Sequence, residues 1–349
     1  MHQALCNAFA PYLTATDLSR LSGVWEDVVD RNWVEKIATP TVVKLTPQII
    51  EILDAHTQDT DLAYSWSLIR SHLDACHVYL SSQEIMIRPL LPPTFSHPAF
   101  GHAKQRIYMS ATLGAGGDLE RLTGRKKIMR LPAPDGWDTQ GVSRRFFIFP
   151  EMSLTAEETV QLRCELMRRA SRSVVLVPSD KAAAQVAEEV NKNLKFRVFH
   201  ATDIEESKAD FTLAKEAVAV VANRYDGIDF AGDECRLLFI EGLPKAMNAQ
   251  ERFLMTRMAA NALYNERIQT RVVQAIGRCT RSLEDYSAVV VSGDELPDYL
   301  ADLRRRPFFH PELQAEISFG AEQSRGTELA DIIENFEIFL ANARDWEQV

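Results

Sequence analysis

At roughly 100–200 residues per domain, a chain of 349 residues holds two or three domains. Hydrophobic residues make up 46% and charged residues 25%, values that bury a sizeable core and exclude a chain disordered throughout. The net charge of −10 excludes a polypeptide that coats itself in nucleic acid, yet leaves room for a local basic groove. No run approaches the ~18 apolar residues of a membrane span. The stretch Met1–Cys6 lacks the basic and apolar regions of a secretory leader, so the reading is cytoplasmic with no membrane. Five cysteines (Cys6, Cys76, Cys164, Cys235, Cys279) show no C-x-x-C spacing, which argues against zinc or an iron–sulfur cluster and for a reducing compartment.

In chain order, residues 1–75 read as an acidic helical segment, with apolar residues three and four apart through Leu18–Ile37 and Ile49–Ala55. Residues 76–130 begin with short strands at His77–Leu80 and Glu84–Arg88. The Pro-rich stretch Pro89–Pro98 cannot be helical. A further strand over Gln105–Met109 runs into Ser110-Ala111-Thr112. Residues 131–143 (LPAPDGWDTQGVS) read as a linker. Over 144–310 apolar strands (Phe146–Phe149, Val174–Val177, Phe196–Phe199, Val218–Ala222, Leu237–Ile240, Ala288–Ser292) alternate with helices such as Ala156–Ala170 and Lys181–Leu194. That alternation predicts an α/β fold, a parallel sheet covered by helices on both faces, able to fold by itself. Residues 311–349 read as an acidic tail, helical over Glu328–Ala343.

Four stretches carry candidate chemistry. Gln274-Ala275-Ile276-Gly277-Arg278-Cys279-Thr280-Arg281 would put Gln274, Arg278 and Arg281 on one helical face. Two guanidinium forks there suit a phosphate that gains charge during transfer, or form a plain solvated basic face. From Val220 to Pro244, a strand runs into a polar loop with Asp226, Gly227, Asp229 and Gly232. It is either a ligand-binding loop at strand ends or an ordinary connection. Ser110-Ala111-Thr112 and Val177-Pro178-Ser179 each end a strand, and each by itself reads as a cap or a helix-starting turn. Basic clusters at Arg121–Arg130, Arg144–Arg145 and Arg304–Arg306, with Phe308 and Phe309 for stacking, could line a nucleic-acid path. His72, His77, His97 and His102 lack metal-ligand spacing and read as structural.

Taken in order, the four stretches resemble motifs III to VI of superfamily 2 helicases, in the XPD/DinG-like branch. Ser110-Ala111-Thr112 is similar to the SAT motif, Val177-Pro178-Ser179 to motif IV, Asn223 to Gly232 to motif V, and Gln274 to Arg281 to the Q-x-x-G-R-x-x-R motif VI. The resemblance spans about Leu73 to Gly293, with Asp226 where Glu is usual. It implies that 144–310 is the second RecA-like domain and 76–130 the trailing part of a partial first one, with 1–75 its helical insertion. It further implies that Arg278 and Arg281 are arginine fingers, that Gln274 senses the nucleotide, and that Gly227, Asp229 and Gly277 lie at the nucleotide. Ser110, Ala111 and Thr112 would couple nucleotide state to the strand path, and Ser179, Asn223 and Arg224 would touch nucleic acid. The implied ligands are ATP with Mg, and the implied partner is single-stranded nucleic acid, expected to be DNA in a repair setting.

The sequence departs from this family in one decisive respect. It contains no Gly-Lys dipeptide and so no P-loop. Its two Asp-Glu pairs, Asp233-Glu234 and Asp294-Glu295, continue as Cys-Arg and Leu-Pro rather than as the Mg-holding acidic motif. The expectation is therefore a C-terminal helicase part, inactive alone, whose P-loop domain is supplied in cis or in trans. The alternative is an ATPase-dead nucleic-acid or protein-binding module. A third reading, an unrelated α/β enzyme with Asp226 or Asp229 as acid or base, lacks any paired nucleophile.

Overall fold

The structure is a computed structural model that describes residues 1–22, 33–94, 97–109, 117–132, 134–136, 141, 143–222, 228–243, 248–259 and 261–342. It divides into two compact units, Met1–Pro132 with Met247–Tyr264, and Ala133–Ala246 with Asn265–Val349. No helix among the described residues is long and apolar enough to cross a membrane.

The first unit holds α1 (His2–Phe9), α2 (Ala15–Ser22), β1 (Val34–Lys36), α3 (Thr39–Thr57), α4 (Leu62–Ile69), β2 (Cys76–Ser81), β3 (Ile85–Pro89), α5 (Pro98–Gly101) and α6 (Asp118–Thr123). The strands form an antiparallel sheet in the order β1-β2-β3, with Val78 opposite Ile87. Spacings of three and four put Val42, Leu45, Ile49 and Leu53 on one face of α3. That face packs with Leu5, Phe9 and Trp66 against Cys76, Val78 and Leu80 of β2. The indole N–H groups of Trp33 and Trp66 donate to Asp17 (3.1 Å) and Asp54 (2.8 Å), so two acidic residues of this segment serve as acceptors. The expected strand at Gln105–Met109 is not formed: these residues lie in no helix or strand, and Ile107 and Met109 are exposed.

The second unit holds β4 (Arg144–Ile148), α7 (Ala156–Ala170), β5 (Arg172–Val177), α8 (Asp180–Asn193), β6 (Arg197–His200), α9 (Ala201–Glu206), α10 (Lys208–Leu213), β7 (Ala217–Ala222) and β8 (Leu237–Glu241). After β8 the chain makes α11 (Ala249–Met258), which belongs to the first unit. It then continues through α12 (Asn261–Ile276), β9 (Tyr286–Ser292), α13 (Glu295–Ala301), α14 (Pro311–Gln323) and α15 (Leu329–Ala341). The six strands run parallel in the order β4-β9-β8-β5-β7-β6, the helix-covered sheet expected of a RecA-like domain.

Both sheet faces are buried, which is why its strands are continuous apolar runs rather than alternating ones. Phe146 and Ile148 join Val175, Val177, Val218, Val220 and Phe239 under α7, α8 and α15. The residues that alternate with them, Phe147, Val174, Ala219, Val221 and Leu238, are equally buried on the opposite face. Thr155 and Glu158 close a reciprocal capping box at the start of α7.

The C-terminal residues are not an appended tail. Ile332, Phe336 and Phe339 of α15 lie inside the core cluster. α14 lies against β4 so closely that Gly320 leaves no space beside Phe147. Residues 144–310 alone would therefore leave both helix-binding surfaces bare, which revises the expectation that they fold by themselves. α11 covers the second face of the first unit's sheet, where Ala249 and Phe253 meet Val34 and Tyr79. Arg252 pairs there with Glu84, and Arg257 with Asp17 and Glu35.

Candidate functional site

Within the second unit, α12 ends at Ile276 and the chain tightens into a 3-10 turn over Gly277–Cys279, leaving it in extended geometry at Thr280. The single helical face expected for Gln274, Arg278 and Arg281 is therefore not formed. The turn instead throws the two arginines onto one carboxylate oxygen by different routes. Arg278 Nη1 donates to Asp229 Oδ1 at 3.1 Å and to the carbonyl of Ile228. Arg281 Nη2 donates to the same Asp229 Oδ1. The Arg278 side chain is 3% exposed, whereas Arg281 and Asp229 stand at 44% and 46%. One guanidinium is a buried support and the other faces outward.

Backbone contacts hold the two segments together. The Phe230 N–H donates to the Arg278 carbonyl at 2.9 Å. Lys208 Nζ donates to the Asp229 carbonyl at 2.9 Å and pairs with Glu234. The cluster lies in the connections that lead into β8 and β9, while Ser179 stands at the carboxyl end of β5. There its hydroxyl accepts the Ala182 N–H and caps α8. Gln274 is half-buried on the last turn of α12 and joins neither ion pair; beyond its own turn, no described residue comes within 4 Å of where a Cβ on Gly277 would stand. Ser110, Ala111, Thr112, Asn223, Arg224, Asp226 and Gly227 lie outside the described residues.

Three contributors were not legible in the sequence. Lys208 is 21 residues from Asp229 and nothing in its surroundings marks it. Asp285 accepts backbone N–H groups from both segments. Arg145, expected on a basic path, is 7% exposed and buried against Glu316 of α14, with a further contact to Thr280 Oγ1 at 3.4 Å. Burial pushes the Glu316 carboxyl up to about 7, against the pull of Arg145. Phe309 is also buried, so of the expected stacking pair only Phe308, 67% exposed, faces solvent. No group of three or more His, Cys, Asp or Glu among the described residues is placed to hold a metal ion.

Residues 164–297 match the family described as helicase C-terminal domain. Over that stretch the chain is similar to helicase C-terminal domains. The match takes in Ser179, Asp229, Gln274, Gly277, Arg278 and Arg281, so the stretches read as motifs IV to VI fall within the matched span. The structure is similar to an XPD helicase, with TM-score 0.47 and 16% identity over 79% of this chain and 57% of that one. It is similar to an apo XPD, with TM-score 0.45 and 17% identity over 86% and 67% of the two chains. It is also similar to Xpd4 of S. tokodaii, with TM-score 0.35 and 14% identity over 81% and 72%. This chain thus spans little more than half the length of the first of these. No curated protein matches the sequence.

Proposed function

We propose that this helicase domain is the second motor lobe of an ATP-dependent nucleic-acid helicase, and that Arg281, backed by Arg278, is its arginine finger. The observation that carries the reading is the convergence of both guanidiniums on Asp229 Oδ1 in a partly exposed place. A carboxylate oxygen that accepts from two guanidiniums marks a spot built for an anion, and a phosphate offers the same acceptors with more charge. Arg278 is fixed by the Ile228 carbonyl and keeps Asp229 in place; Arg281 is the one exposed enough to reach a phosphate.

ATP with Mg, held by a P-loop lobe outside this polypeptide, supplies the phosphoryl bond that breaks. The share of this chain is positive charge where the transferring group becomes more negative. Gly227 and Gly277 would admit the nucleotide's approach, and Gln274 would sense it. Ser110, Ala111 and Thr112 would relay its state. Ser179, Asn223 and Arg224 would touch a single strand, proposed to be DNA in a cytoplasmic repair setting. Within the second unit, exposed Phe308 adds a stacking surface to that path. The need for an outside lobe is supported by the missing Gly-Lys dipeptide. It is supported too by the bare apolar residues Ile107 (75% exposed), Met109 (86%), Met129 (81%) and Leu131 (81%).

The missing dipeptide equally favours the second reading, a binding module without nucleotide turnover. ATP turnover with and without single-stranded DNA separates the two. The chain alone should hydrolyse nothing. Joined by its P-loop lobe it should turn over ATP, and Arg281→Ala should lower kcat by about 10³-fold or more with strand affinity unchanged. Wild-type kcat in Arg281→Ala would remove the finger assignment. Absence of any P-loop lobe, in cis or in trans, would leave the binding module.

A further inference from the structure

We propose that Asp285 is a positioning residue for the Arg281 finger, fixing the backbone from which that guanidinium reaches the nucleotide. The inference rests on the function proposed above and adds a residue that the motif resemblance does not include.

Asp285 closes the loop between the 3-10 turn and β9, and it is only 6% exposed. Its Oδ2 accepts the N–H groups of Arg281 (2.8 Å) and Ser282 (3.0 Å). Its Oδ1 accepts the N–H of Gly232 (3.0 Å), three residues beyond Asp229. One carboxylate therefore ties the segment bearing Asp229 to the segment bearing Arg281. Gly232 reaches it with a φ of +58°, a conformation that favours glycine. The Asp285 carbonyl accepts the Arg144 N–H at 3.0 Å, which anchors the staple to the start of β4. Burial pushes this carboxyl up, but the three N–H donors and the nearby Arg236 charge outweigh it, so it is held below the usual carboxylate range.

Asp285 points its oxygens at backbone, not at the outward face, so it acts through Arg281. An arginine side chain is long, and where its fork arrives depends on where its Cα is held. A misplacement of about 1 Å can cost about 10²-fold in rate. Asparagine at this position keeps the shape but offers one acceptor oxygen, and turns an N–H₂ toward backbone N–H groups.

The test uses Asp285→Asn, Arg281→Ala and the double variant, in the assembly with the P-loop lobe. Asp285→Asn should lower kcat by about 10²-fold while KM for ATP and single-strand affinity stay within about twofold. The double variant should be no slower than Arg281→Ala, since nothing remains to be positioned. Hydrogen exchange on the chain alone should show faster exchange at Gly232, Arg281 and Ser282 in Asp285→Asn, with the sheet strands still protected. Wild-type kcat in Asp285→Asn beside a collapsed Arg281→Ala overturns the positioning role and leaves the finger standing. Additive losses in the double variant, or lost protection throughout the sheet, show Asp285 to be merely structural. Wild-type kcat in Arg281→Ala overturns the finger reading and the positioning role together.

Discussion

Gly320→Ala tests whether the C-terminal helices belong to the core. A Cβ added there would stand 2.5 Å from both Cβ and O of Phe147 and 2.9 Å from its C. Two of those atoms are backbone, so no rotamer change relieves the clash and α14 must move. The helix itself favours alanine over glycine by about 1 kcal/mol. Against this, overpacking costs about 1–3 kcal/mol, and more where the neighbour cannot yield. Moving α14 also loosens Glu316 from Arg145 one turn earlier and the Ser324 hydroxyl from the Phe149 N–H one turn later. A charged hydrogen bond contributes about 1.5–3 kcal/mol and a neutral one about 1 kcal/mol. The net expectation is a loss of about 3 kcal/mol. At about 2–4 °C per kcal/mol the thermal midpoint falls by roughly 6–12 °C. Thermal unfolding of the full chain reads this directly, with Gly277→Ala as comparator because, beyond its own turn, no described residue lies within 4 Å of its added Cβ. A Gly320→Ala chain that melts at or above wild type would refute the seating of α14 on β4.

Deleting residues 311–349 removes Leu313, Ile317, Ile332, Phe336 and Phe339 from the core. At about 1.5–3 kcal/mol for each buried side chain, the loss rivals the whole stability of a domain, about 5–15 kcal/mol, so cooperative melting should vanish. Arg278→Ala strips a buried partner from Asp229 and Ile228 and should lower stability by about 2–4 kcal/mol, whereas exposed Arg281→Ala should cost less than about 1 kcal/mol. Equal melting of the two variants would contradict the buried-support arrangement. The Glu316 carboxyl, raised from 4.5 to about 7, holds a proton in the folded chain that the unfolded chain has released. Its contribution to stability is full below pH 4.5 and lost as pH rises through 7. Stability measured against pH should therefore fall less steeply in Glu316→Gln over that window, by up to about 1.4 kcal/mol per pH unit. Parallel curves would show that the carboxyl is not raised.

The parallel sheet was legible because its strands carry their own signal: runs such as Val174–Val177 and Leu237–Ile240 are apolar at every position, which only a strand buried on both faces requires. Motif VI was legible as residues but not as geometry, because a helical projection assumes that the helix continues past Ile276. Gly277 and the following turn end it, and only the folded chain shows both guanidiniums on Asp229. Arg145 was misread as surface charge because its partner Glu316 lies 171 residues away. The same distance problem hid Asp285 and the core role of α15, whose apolar face was plain but whose destination was not. Gln105–Met109 has strand composition yet forms no described strand, since composition does not supply a neighbour to pair with.

The excursion of α11 into the first unit makes that unit discontinuous in the chain. A ribosome delivers Val34 and Tyr79 long before the residues that cover them, Ala249 and Phe253. Throughout that interval β4 to β8 emerge and begin to collapse while the first unit still lacks one wall. Synthesis order therefore leaves the first unit open until α11 has emerged and the second until α15 has, and no single cut in the gene yields either one whole.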